Sequence, residues 1–474
     1  MNPRPGPVPA LRLVRAPWAV LGLVACLPVL AAPPLRRSRQ GAHPRVPAPV
    51  QAPVPALPAP IPAPETFRLS TGLTCLLVES HERPLIRMEL VCRWDRAELP
   101  AGKEGIAGFL AETMDSGGAG PETRAGFLRA LDSLGLVYRF QPRMGSFHWS
   151  LTADSRSQES AMERLVDAVA RPTFDGPLVE VVRQGARKRS AAASPRARAA
   201  ARFRWQLQAP DALTPPGPLP YERIEFQDLL DFQRRVVRPE HTTLALYGDL
   251  NLAQARQLAL LHFGVWGPSP QPPVMGVPPA PGAVPAAAPK LLAVLDSGPS
   301  VELWAGAPRP PDPGAPEVTA LLPILLARSA LAVPGAVALD FQMAPDVQGP
   351  LIIRARVPQA DRDRLVPGLV KALEGLRARG CTGDDLACAR FQWRAGNAAL
   401  PLHPEALLRG FTDGRLDPGL AQAMDRLTPG QMTQAVQAWL DPGRLRYLLL
   451  GADAAMLQAV ARAGLGPAVQ AGME

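Results

Sequence analysis

The chain has 474 residues, 47% of them hydrophobic, with a formal net charge of +9. That apolar share excludes a disordered chain and leaves room for two to four packed domains. Residues 1–64 hold seven arginines and no acid, so the rest of the chain carries only about +2, and the basic excess leaves no nucleic-acid footprint on the folded part.

Arg12 and Arg15 precede a short apolar run, residues 16–25, in the pattern of an export signal. The run is far shorter than the ~20 residues a membrane helix needs. Leu23-Val24-Ala25-Cys26 resembles a bacterial lipobox, which would make Cys26 a lipidation site and the new N-terminus. An ordinary signal cut near Ala32 is the alternative, with Pro33 against it. Residues 1–26 are therefore assigned to the signal, and the expected location is the periplasm or an outer-membrane anchor. Residues 27–65 are rich in Pro and Ala, cannot build a core, and read as an extended tether. At ~3.1 Å per residue such a tether reaches about 100 Å.

Two long regions follow, residues 66–266 and 291–466, separated by a second Pro-rich stretch at 267–290. Each has strands first, then a strand followed by an amphipathic helix: residues 146–153 then 158–170, and 350–357 then 361–379. Met162, Leu165, Val166 and Val169 mark one helical stripe, and Leu365, Leu369, Leu373 and Leu376 the other. Thr382, followed by Gly383-Asp384-Asp385, is an expected helix N-cap. The expected fold class is α+β, two related halves, each a mostly antiparallel sheet covered by helices.

Apart from Cys26, four cysteines remain. Cys75 and Cys92 fall on two successive expected strands and could pair across a hairpin. Cys381 and Cys388 flank a helix start, too far apart along it for an easy bridge. No Cys-x-x-Cys spacing offers a thiolate zinc site.

An ordered series of segments resembles the pitrilysin/insulinase family of inverted zincins, over about residues 66–460. It runs from residues 69–75 and 88–94, through 105–118, 127–135 and 147–153, to Ala170-Arg171-Pro172-Thr173-Phe174. Val237-Arg238-Pro239 with Leu244-Ala245-Leu246-Tyr247-Gly248-Asp249-Leu250 is the most distinctive match, followed by His262-Phe263-Gly264-Val265-Trp266 and residues 294–306. The resemblance implies a peptidase-like fold, with zinc as the cofactor of active relatives.

The family's zinc motif, His-x-x-Glu-His, falls on residues 105–114, Gly-Ile-Ala-Gly-Phe-Leu-Ala-Glu-Thr-Met. Gly108 stands at the first His, Ala111 at the catalytic Glu and Glu112 at the second His. A hydrolytic zinc needs three protein ligands and an open position. In the region of the third ligand, residues 177–208, the one acid is Glu180, near a helix start. No metal ligand, catalytic residue or cofactor is therefore assigned. Glu112 reads as a solvent-facing or capping residue on a helix whose Ile106, Phe109, Leu110 and Thr113 pack inward, or else as a relic carboxylate in a binding chamber.

The same region carries Arg183, Arg187, Lys188 and Arg189, a basic wall that could take acidic peptide or a partner's acidic face, or be a solvated helix face. The inactive chains of such families also supply an Arg and a Tyr to substrate. Residues 327–357 offer Arg328, Arg354 and Arg356 but no Tyr. By resemblance to the non-catalytic subunits of processing peptidases, the expected function is an inactive peptide-binding or partner subunit, in a heterodimer with an active zinc-binding paralogue. Two readings stay open beside it: an active metalloendopeptidase with atypical ligands, and a stand-alone scaffold or peptide-binding lipoprotein. Peptide is an expected ligand, the membrane an expected contact through the lipid anchor, and nucleic acid is not expected.

Overall fold

The structure is a computed structural model that describes residues 62–95, 98–207, 209, 212–267, 290–296, 299–310, 314–330, 338–343, 349–397, 403–414, 416, 418–462, 465 and 467–470. Cys26 and most of both Pro-rich stretches lie outside the described residues. No described helix is long and apolar enough to cross a membrane.

The first half runs β1 (Glu65–Arg68), β2 (Thr74–Glu79), β3 (Leu85–Arg93), α1 (Ile106–Ser116), β4 (Gly118–Ala119), α2 (Arg124–Ser133), β5 (Val137–Arg143), β6 (Ser146–Asp154), α3 (Gln158–Ala170), β7 (Pro172–Thr173), α4 (Gly176–Ala192), α5 (Pro195–Gln206), α6 (Phe226–Val236), β8 (Thr242–Gly248) and α7 (Leu252–Phe263). The second half runs β9 (Leu291–Leu295), β10 (Ser300–Ala307), α8 (Pro316–Ala330), β11 (Ala338–Met343), β12 (Leu351–Pro358), α9 (Arg362–Arg379), α10 (Gly383–Asn397), α11 (Pro404–Thr412), α12 (Pro418–Arg426), α13 (Pro429–Trp439), β13 (Arg446–Ala452), α14 (Ala454–Arg462) and β14 (Ala468–Gln470).

Each half is built on a six-stranded sheet, in the orders β1-β2-β8-β3-β6-β5 and β11-β12-β10-β13-β9-β14. Read from the other edge, the second sheet repeats the first: β9, β13, β10, β12 and β11 take the places of β2, β8, β3, β6 and β5. The directions repeat as well. β2–β8 and β13–β9 are parallel, and the other pairs within this shared set are antiparallel. The repeat extends to one glycine. Gly248, at the end of β8, has φ 128° and passes so close to the Leu85 carbonyl that a Cβ would overlap it. Gly451 in β13, with φ 80°, approaches the Ser300 carbonyl in the same way. Neither site admits a side chain without strain.

Alternation decides what each strand buries. Ile86, Met88, Leu90 and Cys92 on β3, with Phe147, Trp149, Leu151 and Ala153 on β6, face the core under α1, α3 and α6. The opposite face of these strands carries Arg87, Glu89, Arg93, Ser146, His148, Ser150 and Thr152. The helices start where the sequence supplies caps: Thr123, Asp175, Ser194 before Pro195, and the capping boxes Asn251/Gln254 and Thr428/Gln431. Thr382 caps α10, its hydroxyl accepting from the Asp385 amide at 3.1 Å.

Two helices cross between the halves. In chain order α5 is the third helix after β6, and α11 the third after β12, so they are equivalent elements. α5 packs Ala199, Phe203 and Leu207 against Leu292, Val294, Trp304, Ile352, Leu448 and Leu450 on the second sheet. α11 packs on β3 and β8 of the first sheet, and its Leu407 clusters with Val78 of β2 and Tyr247 of β8. Each sheet is thus covered on its second face by a helix from the other half.

The hairpin disulfide expectation is corrected here. Cys75 on β2 and Cys92 on β3 are both free and buried, because β8 is inserted between the two strands and pairs with each. Successive strands in the sequence are not neighbours in this sheet. The Cys92 thiol instead donates to the Val236 carbonyl at 2.9 Å.

Candidate functional site

Helix α1 lies deep in the first half. Ile106, Ala107, Gly108, Phe109, Leu110, Ala111, Thr113 and Met114 are all buried, and only Glu112 among the motif positions reaches partial exposure. The inward packing of Ile106, Phe109, Leu110 and Thr113 matches the sequence reading.

The face that carries the motif positions is covered by a strap, residues 212–224, that leads from α5 to α6. The strap passes so near Gly108 that a Cβ there would stand 2.4 Å from the Leu213 carbonyl oxygen. Real side chains do not approach a backbone oxygen that closely, so Gly108 is glycine because backbone fills the space a side chain would need.

Tyr221 closes the strap. Its ring stacks on Phe109 with centroids 4.5 Å apart and planes 5° from parallel. Its hydroxyl donates to Glu112 Oε1 at 2.9 Å and lies 2.7 Å from the Thr214 hydroxyl. Burial, with the Glu112 charge beside it, drives the Tyr221 phenol well above the ordinary tyrosine range. The residue has φ 66°, a left-handed conformation that costs about 1–3 kcal/mol for a bulky side chain. The stack and the two hydroxyl contacts hold it there.

α4 supplies the rest of the attachment. Arg183 lies over the Phe109 ring, 5.0 Å from its centroid, and donates to the carbonyls of Ile224 at 2.8 Å and of Tyr221. Arg187 pairs with Glu222, and Ser190 donates to the Gly217 carbonyl. These three positions, i, i+4 and i+7, lie on one helix face. Arg189 pairs with Glu112 itself. Lys188 is exposed. Glu180 pairs with Arg183 at 3.0 Å, and hydrogen bonds from Gln184 and Arg183 hold its carboxyl below the usual range.

Glu112 is therefore partly exposed but not free. It is clamped between a guanidinium and a phenol. The arginines that read as a basic wall include three that grip this chain's own strap or helix. Their partners, Glu222, Glu112 and backbone carbonyls, lie far away in sequence, so only the i, i+4, i+7 spacing of Arg183, Arg187 and Ser190 signalled a shared target. Arg354 and Arg356, on the second sheet, are engaged likewise: Arg354 stacks over Trp304 at 4.0 Å, and Arg356 pairs with Glu302 at 2.8 Å.

A zinc ion does not fit these residues. One carboxylate is available, a guanidinium already neutralises it, and backbone occupies the place of a first ligand. Among the described residues no group of three or more His, Cys, Asp or Glu side chains is arranged to hold a metal.

The family model described as the peptidase M16 inactive domain matches residues 223–303. The M16 inactive domain from Pseudomonas fluorescens superposes with a TM-score of 0.64 at 15% identity, covering 82% of this chain and 98% of that one. The fold is that of the M16 peptidases. A protease from Helicobacter pylori superposes with a TM-score of 0.60 at 14% identity, over 82% of this chain and 99% of that one. The periplasmic protease PqqL from Escherichia coli gives 0.63 at 14% identity, over 83% of this chain but 47% of its own length. No curated protein matches the sequence. The pitrilysin-type resemblance and the α+β two-half fold read from the sequence both hold. The matched family model is that of an inactive M16 domain, in keeping with no cofactor, and zinc belongs to active relatives.

Proposed function

We propose that this chain is an exported, non-catalytic M16-fold subunit that pairs with an active zinc-binding relative. The observation that carries the reading is the strap on α1: Leu213 occupies the space above Gly108, and Arg189 neutralises Glu112. Absent ligands alone would leave an open face on α1, whereas this face is filled by the strap and its carboxylate is paired. A closed α1 has no means of activating water, so the reading of an active peptidase with displaced ligands draws no support from the geometry. The function then rests in binding and partnership. Arg183, Arg187 and Arg189 serve the chain's own strap and helix, which leaves the exposed Lys188 and the outer side of Arg189 as the part of the basic wall that can meet a partner's acids or an acidic peptide.

Export and anchoring belong to the same proposal: Cys26 carries lipid, and residues 27–65 tether the M16 body to a membrane. The test is affinity purification of the tagged full chain from its native cell. Co-purification of a relative with an intact His-x-x-Glu-His motif, and loss of membrane association in Cys26→Ala, are the expected results. Purification of the chain alone with peptide-cleaving activity of its own would overturn the proposal.

A further inference from the structure

The equivalent helices α5 and α11 sit on equivalent sheet faces, but by opposite chemistry. The α5 seat is mainly apolar, with Phe203 and Leu207 fully buried against Trp304 and Leu448, and has one ion pair, Arg196 with Asp296, near the start of the helix. The α11 seat adds to a small apolar contact, Leu407 with Val78 and Leu416, a row of charges. Glu405 meets Arg87 at 2.7 Å and Arg139 at 3.8 Å. Arg409 faces Glu89 at 3.6 Å. Asp413, just past the helix end, faces Arg143 at 3.7 Å and Arg93 at 3.8 Å. Charges along α11 thus run negative, positive, negative at i, i+4 and i+8, opposite β3 with Arg87, Glu89 and Arg93.

The two seats differ in what they contribute to stability. Burying apolar surface is favourable by about 25 cal/mol per Å². Buried charges give back much of their attraction as desolvation, the more so where hydrogen bonds are incomplete. In the α11 seat they are incomplete: both Glu89 oxygens, His148 Nδ1, Arg87 Nε and Arg409 Nε are buried without a hydrogen-bond partner. His148 lies 3.7 Å from Glu89, again beyond hydrogen-bond reach. Buried polar atoms without a partner also occur on α5, as at Gln206 Oε1, but the side chains that seat α5 on the second sheet, Ala199, Phe203 and Leu207, carry no polar atom.

We infer that α11 is a releasable latch and α5 the fixed pivot: the two halves part on the ionic side first, baring the polar face of the first sheet. The charge register selects where α11 closes, and the apolar seat keeps the halves together while it is open. This inference does not depend on the partner-subunit reading.

Hydrogen exchange of the full chain, read peptide by peptide, tests it. In the wild type, amides of α11 are expected to show protection at least about tenfold lower than those of α5, as separate opening units do. Arg409→Glu should lower α11 protection by about a further tenfold with α5 unchanged, and adding Glu89→Arg should restore it. Equal protection of α5 and α11 in the wild type, or a loss in Arg409→Glu that affects both helices together, would overturn the inference. If Arg409→Glu does not fold, the wild-type comparison decides alone.

Discussion

The Tyr221 hydroxyl donates to Glu112 at 2.9 Å, tying the strap at residues 212–224 to the one polar residue left on the motif face of α1. Through this bond the motif face of α1 is covered by the chain's own strap. Tyr221→Phe removes the bond but keeps the stack on Phe109. It should cost about 1.5–3 kcal/mol, the loss of a hydrogen bond to a charged acceptor. Tyr221→Ala also removes the stack and should cost about 3–5 kcal/mol. Denaturant melts of both variants check the order. Equal stability of Tyr221→Ala and wild type would show that the strap does not close on α1.

Gly108 tolerates no side chain while the strap is seated. Gly108→Ala should destabilise by at least the roughly 1–3 kcal/mol typical of overpacking, despite the better helix propensity of alanine. Urea unfolding measures the loss. A neutral or stabilising Gly108→Ala would mean that Leu213 does not lie over the helix.

Three of the four tyrosines, Tyr138, Tyr221 and Tyr447, are held protonated by burial, Tyr447 with its phenol pushed up to about 12. The folded chain then keeps protons that the unfolded chain releases near pH 10, so stability should fall as pH rises above about 10. Absorbance titration at pH 11 is expected to show at most one ionised tyrosine per native chain, against four after denaturation. Ready ionisation of three or more in the native state would contradict the packing.

Cys75 and Cys92 should both be titratable thiols on unfolding, with no bridge between them. In the folded chain burial pushes Cys75 up to about 12 and Cys92 up to about 11, so neither offers thiolate near neutral pH. Thiol-reactive mass labelling under native conditions should modify the partly exposed Cys388 first. A Cys75–Cys92 disulfide in peptide maps of non-reduced protein would refute the strand order.

Much of the fold was legible because periodicity and punctuation report local structure. The stripe at Met162, Leu165, Val166 and Val169 marks α3, and Thr382 caps α10. The match around Tyr247-Gly248-Asp249 ends β8 at a glycine that the Leu85 carbonyl requires. Sheet order was not legible. Nothing in the sequence near Cys75 or Cys92 reports that β8 returns from more than a hundred residues away to lie between their strands.

The site divides along the same line. The absence of His-x-x-Glu-His can be read directly, since it is a local pattern, and the resemblance sets Gly108, Ala111 and Glu112 at its positions. The replacement is long-range. Glu112 meets Arg189 and Tyr221, and Gly108 meets Leu213, through folding that brings α4 and the strap onto α1. An arginine run looks the same in sequence whether it faces a partner or its own chain. Arg183 and Arg187 are distinguished only once Ile224 and Glu222 are in place beside them.

The central claim is that α1 is closed to metal by packing as well as by sequence. The direct measurement is the zinc content of the purified full chain beside that of a variant given the motif back, Gly108→His with Ala111→Glu and Glu112→His. The account predicts far less than one zinc per chain for the wild type, and for the variant a loss of stability with no gain of zinc, because a side chain at 108 and the Leu213 carbonyl cannot share one space. About one tightly held zinc per chain in the wild type, or in a folded variant that keeps the strap, would contradict it.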